Sequence, residues 1–218
     1  MKNLRIISLV VFLLAGNRSS FAQRTIAEGT IIYDMVIQGG NTLPHNGDAS
    51  NTVYLKGSNS RTDMVSPLGN ESTIHDAKVG NAVILKEFSG QKLMIKLTKE
   101  NWITKNKAYK DITFDLLDES KTIAGYSCKK ALAKMADGKT FLVYYAPELQ
   151  VANKEYNPTF TNLPGLAMEY EIESGNMKFR FTVSKISQEP VKLSKFDFPR
   201  SGYRVMNYEE NLQMKKGS

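Results

Sequence analysis

Short alternating segments, parted roughly every eight to twelve residues by glycine, asparagine or aspartate, constrain this chain more than any other feature. Asp137-Gly138 stands between two such runs, Ile123 to Met135 and Thr140 to Tyr145. A tight primed turn needs residues that tolerate positive φ, which aspartate and glycine do. Ser174-Gly175-Asn176 joins Met168–Glu173 to Met177–Ser187, and Gly57-Ser58-Asn59 joins Asn51–Lys56 to Ser60–Ser66. Further turns are expected at Pro67–Asn70, Gly80-Asn81 and Ser89-Gly90, with strands at Ser72–Asp76, Ala82–Phe88 and Lys92–Leu97. In Gly29–Gln38, Ile31, Tyr33, Met35 and Ile37 fall on one face, so one side of that strand is buried. Ten or more short strands with few helices make an antiparallel, mainly β domain.

The remaining segments read differently. Gly39–Ser50, rich in Gly, Asn and Asp with Pro44, is expected to be a mobile loop. Thr98–Lys110 is a short helix or an ordered loop, with Trp102 packed on the sheet or presented as a ligand platform. Ile112–Leu117 is a strand or the end of that connection. Lys192–Phe196 reads as a last strand. Tyr203–Lys216 reads as a terminal helix, because Val205, Tyr208 and Leu212 recur at helical spacing.

The first 22 residues have the pattern of an export signal: Lys2 and Arg5, the apolar run Ile6–Ala15, then Ser20-Phe21-Ala22 as a small-x-small cleavage site. The run is too short for a helix to span a bilayer of about 30 Å. Two segments are therefore expected, a secretion signal over 1–22 and one domain over 23–218, periplasmic or secreted, with no integral membrane span. No cysteine near Ala22 offers a lipoprotein attachment point. Removing Lys2, Arg5 and Arg18 lowers the formal net charge from +7 to +4. The basic residues are scattered, with no basic stripe and aromatic platforms, so no nucleic acid partner is expected. A weak attraction to anionic headgroups stays open. The oligomeric state is not set by the sequence.

Chemistry is sparse. Cys128 is the one thiol, and a nucleophile would need a base beside it. The histidines are His45, in the Gly/Asn-rich loop, and His75, on a short strand. No spacing brings either to Cys128. Lys129 and Lys130 could lower its pKa; the alternative is a buried strand cysteine. Asp115, Asp118 and Glu119 read as a solvated loop rather than metal ligands. No catalytic, cofactor or metal residues are expected. Phe141, Val143 and Tyr145 alternate with Leu142 and Tyr144, apolar on both faces, near Tyr156 and Phe160. One reading is a central strand with a core on each side; the other is a strand whose one face lines an apolar ligand cavity.

Three stretches resemble a known family. They are Gly125-Tyr126-Ser127-Cys128-Lys129-Lys130-Ala131, Tyr145-Ala146-Pro147-Glu148-Leu149 and Leu163-Pro164-Gly165-Leu166. Together they resemble the GLPGLI family of exported proteins, and are similar to the related domain of unknown function 4412. Asn162 and Ala167 replace the first and last residues of the naming hexapeptide. Gly125 reads as a bend within a strand and Pro164-Gly165 as a turn. The resemblance extends from Ile26 to Tyr203. It implies a LolA-like periplasmic carrier fold: mainly β with minor α, a curved antiparallel half-barrel sheet whose apolar side is covered by a few helices and loops. It implies no catalytic residue and no cofactor. The partner it implies is a lipid or lipoprotein acyl chain. The alternative is a periplasmic interaction or sensor module with a filled sheet and no small ligand.

Overall fold

The structure is a computed structural model, and it describes residues 23–39 and 45–216. The expected export signal, residues 1–22, lies outside the described residues. The strands are β1 (Arg24–Ile26), β2 (Glu28–Gly39), β3 (His45–Lys56), β4 (Asn59–Ser66), β5 (Gly69–Asp76), β6 (Ala82–Phe88) and β7 (Gln91–Leu97). After α1 (Lys99–Lys105) come β8 (Thr113–Ile123), β9 (Tyr126–Lys134), β10 (Thr140–Ala146), β11 (Leu149–Val151), β12 (Leu166–Ser174) and β13 (Met177–Ser187). The chain ends with β14 (Arg204–Asn207) and α2 (Tyr208–Lys216).

Twelve strands form one large, curved, open sheet in the order β14-β7-β6-β5-β4-β3-β2-β13-β12-β10-β9-β8. Every pair in it is antiparallel except β14 on β7. The mainly β, antiparallel class expected from the turn spacing is the class observed. β1 and β11 pair in parallel as a separate two-stranded ribbon.

Register defines two faces. On the inner face, pairing links Ile31 through Val53, Thr62, Thr73, Ile84 and Ile95 to Met206. Its apolar side chains form two clusters. The larger takes β2, β3, β9, β10, β12 and β13 together with the β1/β11 ribbon. The smaller takes Ile84, Ile95, Leu97, Trp102 and Met206. Threonines 62 and 73 lie on the strands between them. On the outer face, pairing links Lys185 to Ile32, then Thr52, Asp63, Ser72, Leu85 and Met94.

Several segments differ from the sequence reading, each for a local reason. The expected loop Gly39–Ser50 is strand from His45 onward, because tertiary pairing with β2 overrides the low strand propensity of its Asn, Asp and Gly residues. The single run Ile123–Met135 is split: Ala124 and Gly125, at φ 47° and 83°, make a two-residue turn that closes the β8–β9 hairpin. Gly125 is therefore a turn residue and not a bend within a strand. Asp115, Asp118 and Glu119 sit on edge strand β8, not in a loop. A strand is absent at Lys192–Phe196. Leu193–Phe196 is a 3-10 turn in a segment that crosses the sheet instead of pairing with it.

The terminal helix begins five residues later than expected, at Tyr208. Asn207 and Glu210 exchange side-chain and backbone hydrogen bonds, both 2.8 Å, and this capping box fixes the start. Upstream, Val205 lies on β14 and is exposed. β10 is covered on one face only: Val143 and Tyr145 are buried while Leu142 is exposed, so of the two readings of this strand the core on each side is not the one observed. Trp102 packs on the sheet through α1, which Thr98 and Asn101 cap reciprocally.

Candidate functional site

Two regions could host a ligand. The first is the apolar inner face around β10, β12 and β13. Tyr170 stacks on Phe181 with ring centroids 4.9 Å apart and meets Phe160 edge-on at 4.7 Å. Phe160 touches Phe141 at 6.3 Å. Phe160 and Leu163 come from the connector between β11 and β12, which folds over this face in two 3-10 turns, Lys154–Tyr156 and Pro158–Phe160. Asn153 and Asn157 start those turns by accepting the Glu155 and Thr159 amides. The buried Tyr33 hydroxyl donates to the Ala167 carbonyl at 2.9 Å. Burial drives the Tyr33, Tyr156 and Tyr170 phenols well above their usual range, so they stay neutral. The cavity lined by Tyr156, Phe160, Leu163 and Leu166 has a volume of about 20 Å³.

Pro164-Gly165 does not act as a free-φ turn. The Gly165 backbone lies outside the left-handed region. A Cβ there would sit 2.3 Å from the Ala146 carbonyl oxygen and 2.8 Å from Tyr145 Cδ2, so close approach is what requires glycine.

The second region is on the outer face, and the sequence reading missed it. Residues 188–203 cross that face from β13 to β14 as a strap. Arg61 Nη1 donates to the Lys195 and Asp197 carbonyls at 3.1 and 3.3 Å, while Arg61 Nε donates to Asp63 at 2.6 Å. The Val191 amide donates to Glu28 at 2.7 Å, and the Tyr203 hydroxyl to Glu87. Phe196 and Tyr203 pack on Ile74, Leu85 and Met94. Two clefts flank the strap. One, about 620 Å³, is lined by Tyr54, Arg61, Lys185, Lys192 and Lys195 among others; the second, about 510 Å³, includes Met64, Val65 and Phe198. The signals for this region were Pro190 and Pro199, which lack the amide a ladder needs.

The residues singled out for chemistry are not brought together. Cys128 is fully buried in the larger cluster, its Sγ 3.4 Å from the Tyr126 carbonyl. Burial pushes the thiol to about 11, so Lys129 and Lys130 do not make it a thiolate at neutral pH. His75 is buried on β5, stacked on Trp102 with centroids 4.3 Å apart. Its ring nitrogens have no hydrogen-bond partner, and Glu155 Oε2 is 3.8 Å away. Burial lowers its pKa, so the ring is neutral at neutral pH and the Glu155 contact is not an ion pair there. His45 opens β3 opposite Ile37. On β8, Asp115 pairs with Lys134, and Glu119 pairs with Lys130 at 2.7 Å and accepts from Tyr144. Among the described residues, no three His, Cys, Asp or Glu side chains could hold a metal ion. None of the helices among them is long and apolar enough to cross a membrane.

The family model described as a domain of unknown function (DUF4412) matches residues 36–153. The chain belongs to that family. The matched DUF4412 region includes Gly125–Ala131 and Tyr145–Leu149 and stops before the Asn162–Ala167 hexapeptide. No curated protein matches the sequence. Among solved structures, PNGF-II superposes with a TM-score of 0.51 at 12% identity, over 85% of this chain and 33% of that one. This DUF4412 chain therefore shares a fold with PNGF-II while spanning about a third of its length. The MucA/MucB complex of Pseudomonas aeruginosa gives a TM-score of 0.41 at 8% identity, over 79% of this chain and 56% of the other. A LolA superfamily protein from Nitrosomonas europaea gives 0.35 at 8% identity, over 81% and 92%.

Proposed function

We propose that the protein is an exported, non-catalytic binding module, one domain from Gln23 onward, that meets its partner across its surface. The observation that carries this reading is how little space is left beneath the β11–β12 connector. The space among Tyr156, Phe160, Leu163 and Leu166 is about 20 Å³, whereas a site for a small organic ligand occupies about 300–1,000 Å³. Export rests on Lys2, Arg5, the Ile6–Ala15 run and Ala22. The absence of catalysis rests on a protonated, buried Cys128 and a neutral His75 packed in a different cluster. The GLPGLI resemblance of the 162–167 hexapeptide agrees with an exported protein.

A second reading is a carrier of a lipid-like or lipoprotein acyl chain in the periplasm. One feature favours it. The cover over Tyr170 and Phe181 is a connector of 3-10 turns that is not itself part of the large sheet, so its displacement would uncover an aromatic-lined face. Native mass spectrometry of protein taken from the exporting cell separates the two. A bare chain beginning at Gln23 supports the surface-binding module. A stoichiometric acyl adduct would overturn it in favour of the carrier, and a retained Met1 would remove export from either reading.

A further inference from the structure

We propose that the larger cleft beneath the strap is an anion site that takes a phosphate-bearing group, a function separate from the partner surface proposed above. A β-bulge in β13 creates the site. Strict alternation along β13 would place Lys185 on the inner face with Phe181 and Val183. The register shifts between Val183 and Lys185, so Lys185 lies opposite Ile32 and Ile186 opposite Ile31. The extra residue, Ser184, is accommodated with its hydroxyl 3.4 Å from the Ile32 carbonyl. The bulge turns the Lys185 ammonium to the outer face and into the cleft, and re-aiming one side chain is a recurrent use of bulges beside functional sites.

The cleft gathers charge of one sign. Lys185, Lys192 and Lys195 all line it, against one lining carboxylate, Glu189. Several other lysines of the sheet are matched: Lys56 with Glu28, Lys86 with Glu71, Lys121 with Glu169 and Lys178 with Glu173. Among the described residues, none of the three cleft lysines has a carboxylate within ion-pair distance. The other nearby acids are already engaged, Glu28 by Lys56 and the Val191 amide, and Asp63 by Arg61. Lys195 lies 4.5 Å over the Tyr54 ring, which holds its ammonium beside the cleft.

Three lysines without a carboxylate partner, one of them also donating to the Tyr54 hydroxyl at 3.5 Å, with Thr30 and Ser194 on the same lining, match a tetrahedral oxyanion. Lysine supplies point charge and hydroxyls supply directed donors. The cleft volume, about 620 Å³, leaves room for a glycerol or sugar attached to the phosphate. Such a group could be a free phosphate ester or a phospholipid headgroup. The exposed Leu193 on the strap stands beside the lysines in either case.

The test uses the chain from Gln23 onward. Binding of inorganic phosphate and glycerol 3-phosphate is measured by calorimetry. Binding to vesicles of equal parts phosphatidylglycerol and phosphatidylcholine is measured by co-sedimentation, with pure phosphatidylcholine as the blank. The Lys185→Gln/Lys192→Gln pair is compared with Lys107→Gln/Lys110→Gln, an equal charge change on the exposed turn after α1. The cleft pair should weaken binding about tenfold or more, as expected for losing charge-assisted contacts, and the control pair should stay within about twofold of wild type. Binding of the soluble phosphates identifies a free ester as ligand; binding of the anionic vesicles alone identifies a headgroup. The proposal is overturned if wild type binds neither probe, if the cleft pair binds as well as wild type, or if the control pair weakens binding as much.

Discussion

Gly165→Ala tests the packing argument most directly, because two principles predict opposite signs. Replacing a glycine at an unstrained backbone position stabilises a protein by about 0.4–1 kcal/mol, since the unfolded chain loses freedom. Gly165 has no left-handed φ to oppose that gain. The surroundings do oppose it. The new Cβ would lie 2.3 Å from the Ala146 carbonyl oxygen and 2.8 Å from both the Ala146 carbonyl carbon and Tyr145 Cδ2. The closest approach that real Cβ atoms tolerate is about 3.0 Å, so the backbone must part by roughly 0.7 Å. Ala146 and Tyr145 lie on β10, which is hydrogen-bonded to β9 on one side and β12 on the other, so neither can recede freely. Overpacking of this kind costs about 1–3 kcal/mol, which for a chain of this size lowers Tm by about 2–12 °C. Thermal unfolding followed by near-UV circular dichroism reads the shift. A Tm equal to or above that of wild type would refute the close-approach account and restore Pro164-Gly165 as an ordinary turn.

Three further outcomes are expected. His75 has a folded-state pKa lowered by burial from its ordinary 6.5, so the unfolded chain binds the proton first and stability is lost as pH falls from 6.5 through the folded value. His75→Phe, which keeps an aromatic ring against Trp102, should flatten that acid limb in denaturant titrations, and an unchanged slope would place its origin elsewhere. The Cys128 thiol should react with a small alkylator only after unfolding, and Cys128→Ala should cost about 1 kcal/mol; rapid labelling of the native protein would contradict its burial. Arg61→Ala removes the donors that hold the Lys195 and Asp197 carbonyls, so limited proteolysis should cut first and faster within residues 188–203, while an unaltered cleavage rate would show that Phe196 and Tyr203 alone hold the strap.

Local chemistry made most strands legible. Ala82–Phe88 and Met177–Ser187 are legible to the residue, because alternation and glycine turns act within a few positions. The α2 start was also written locally, as Asn207 and Glu210 three residues apart, but the helical spacing of Val205 and Tyr208 masked it. The Ala124-Gly125 hairpin was hidden because alanine is rarely placed at positive φ, and only pairing of Ile123 with Tyr126 forces it there.

The sequence by itself determined the fold class and the one-sided burial of β2, since period-two patterning acts at short range. Tertiary structure alone decided the rest. Whether the apolar face is hollow depends on how the β11–β12 connector folds back so that Phe160 seats against Tyr170 and Phe141. The gathering of Lys185, Lys192 and Lys195 depends on a one-residue bulge and on a strap anchored by Arg61, more than 120 residues before Lys185. Periodicity carries no information about such contacts, because the energy that sets them comes from side chains whose separation in sequence is unrelated to their separation in space.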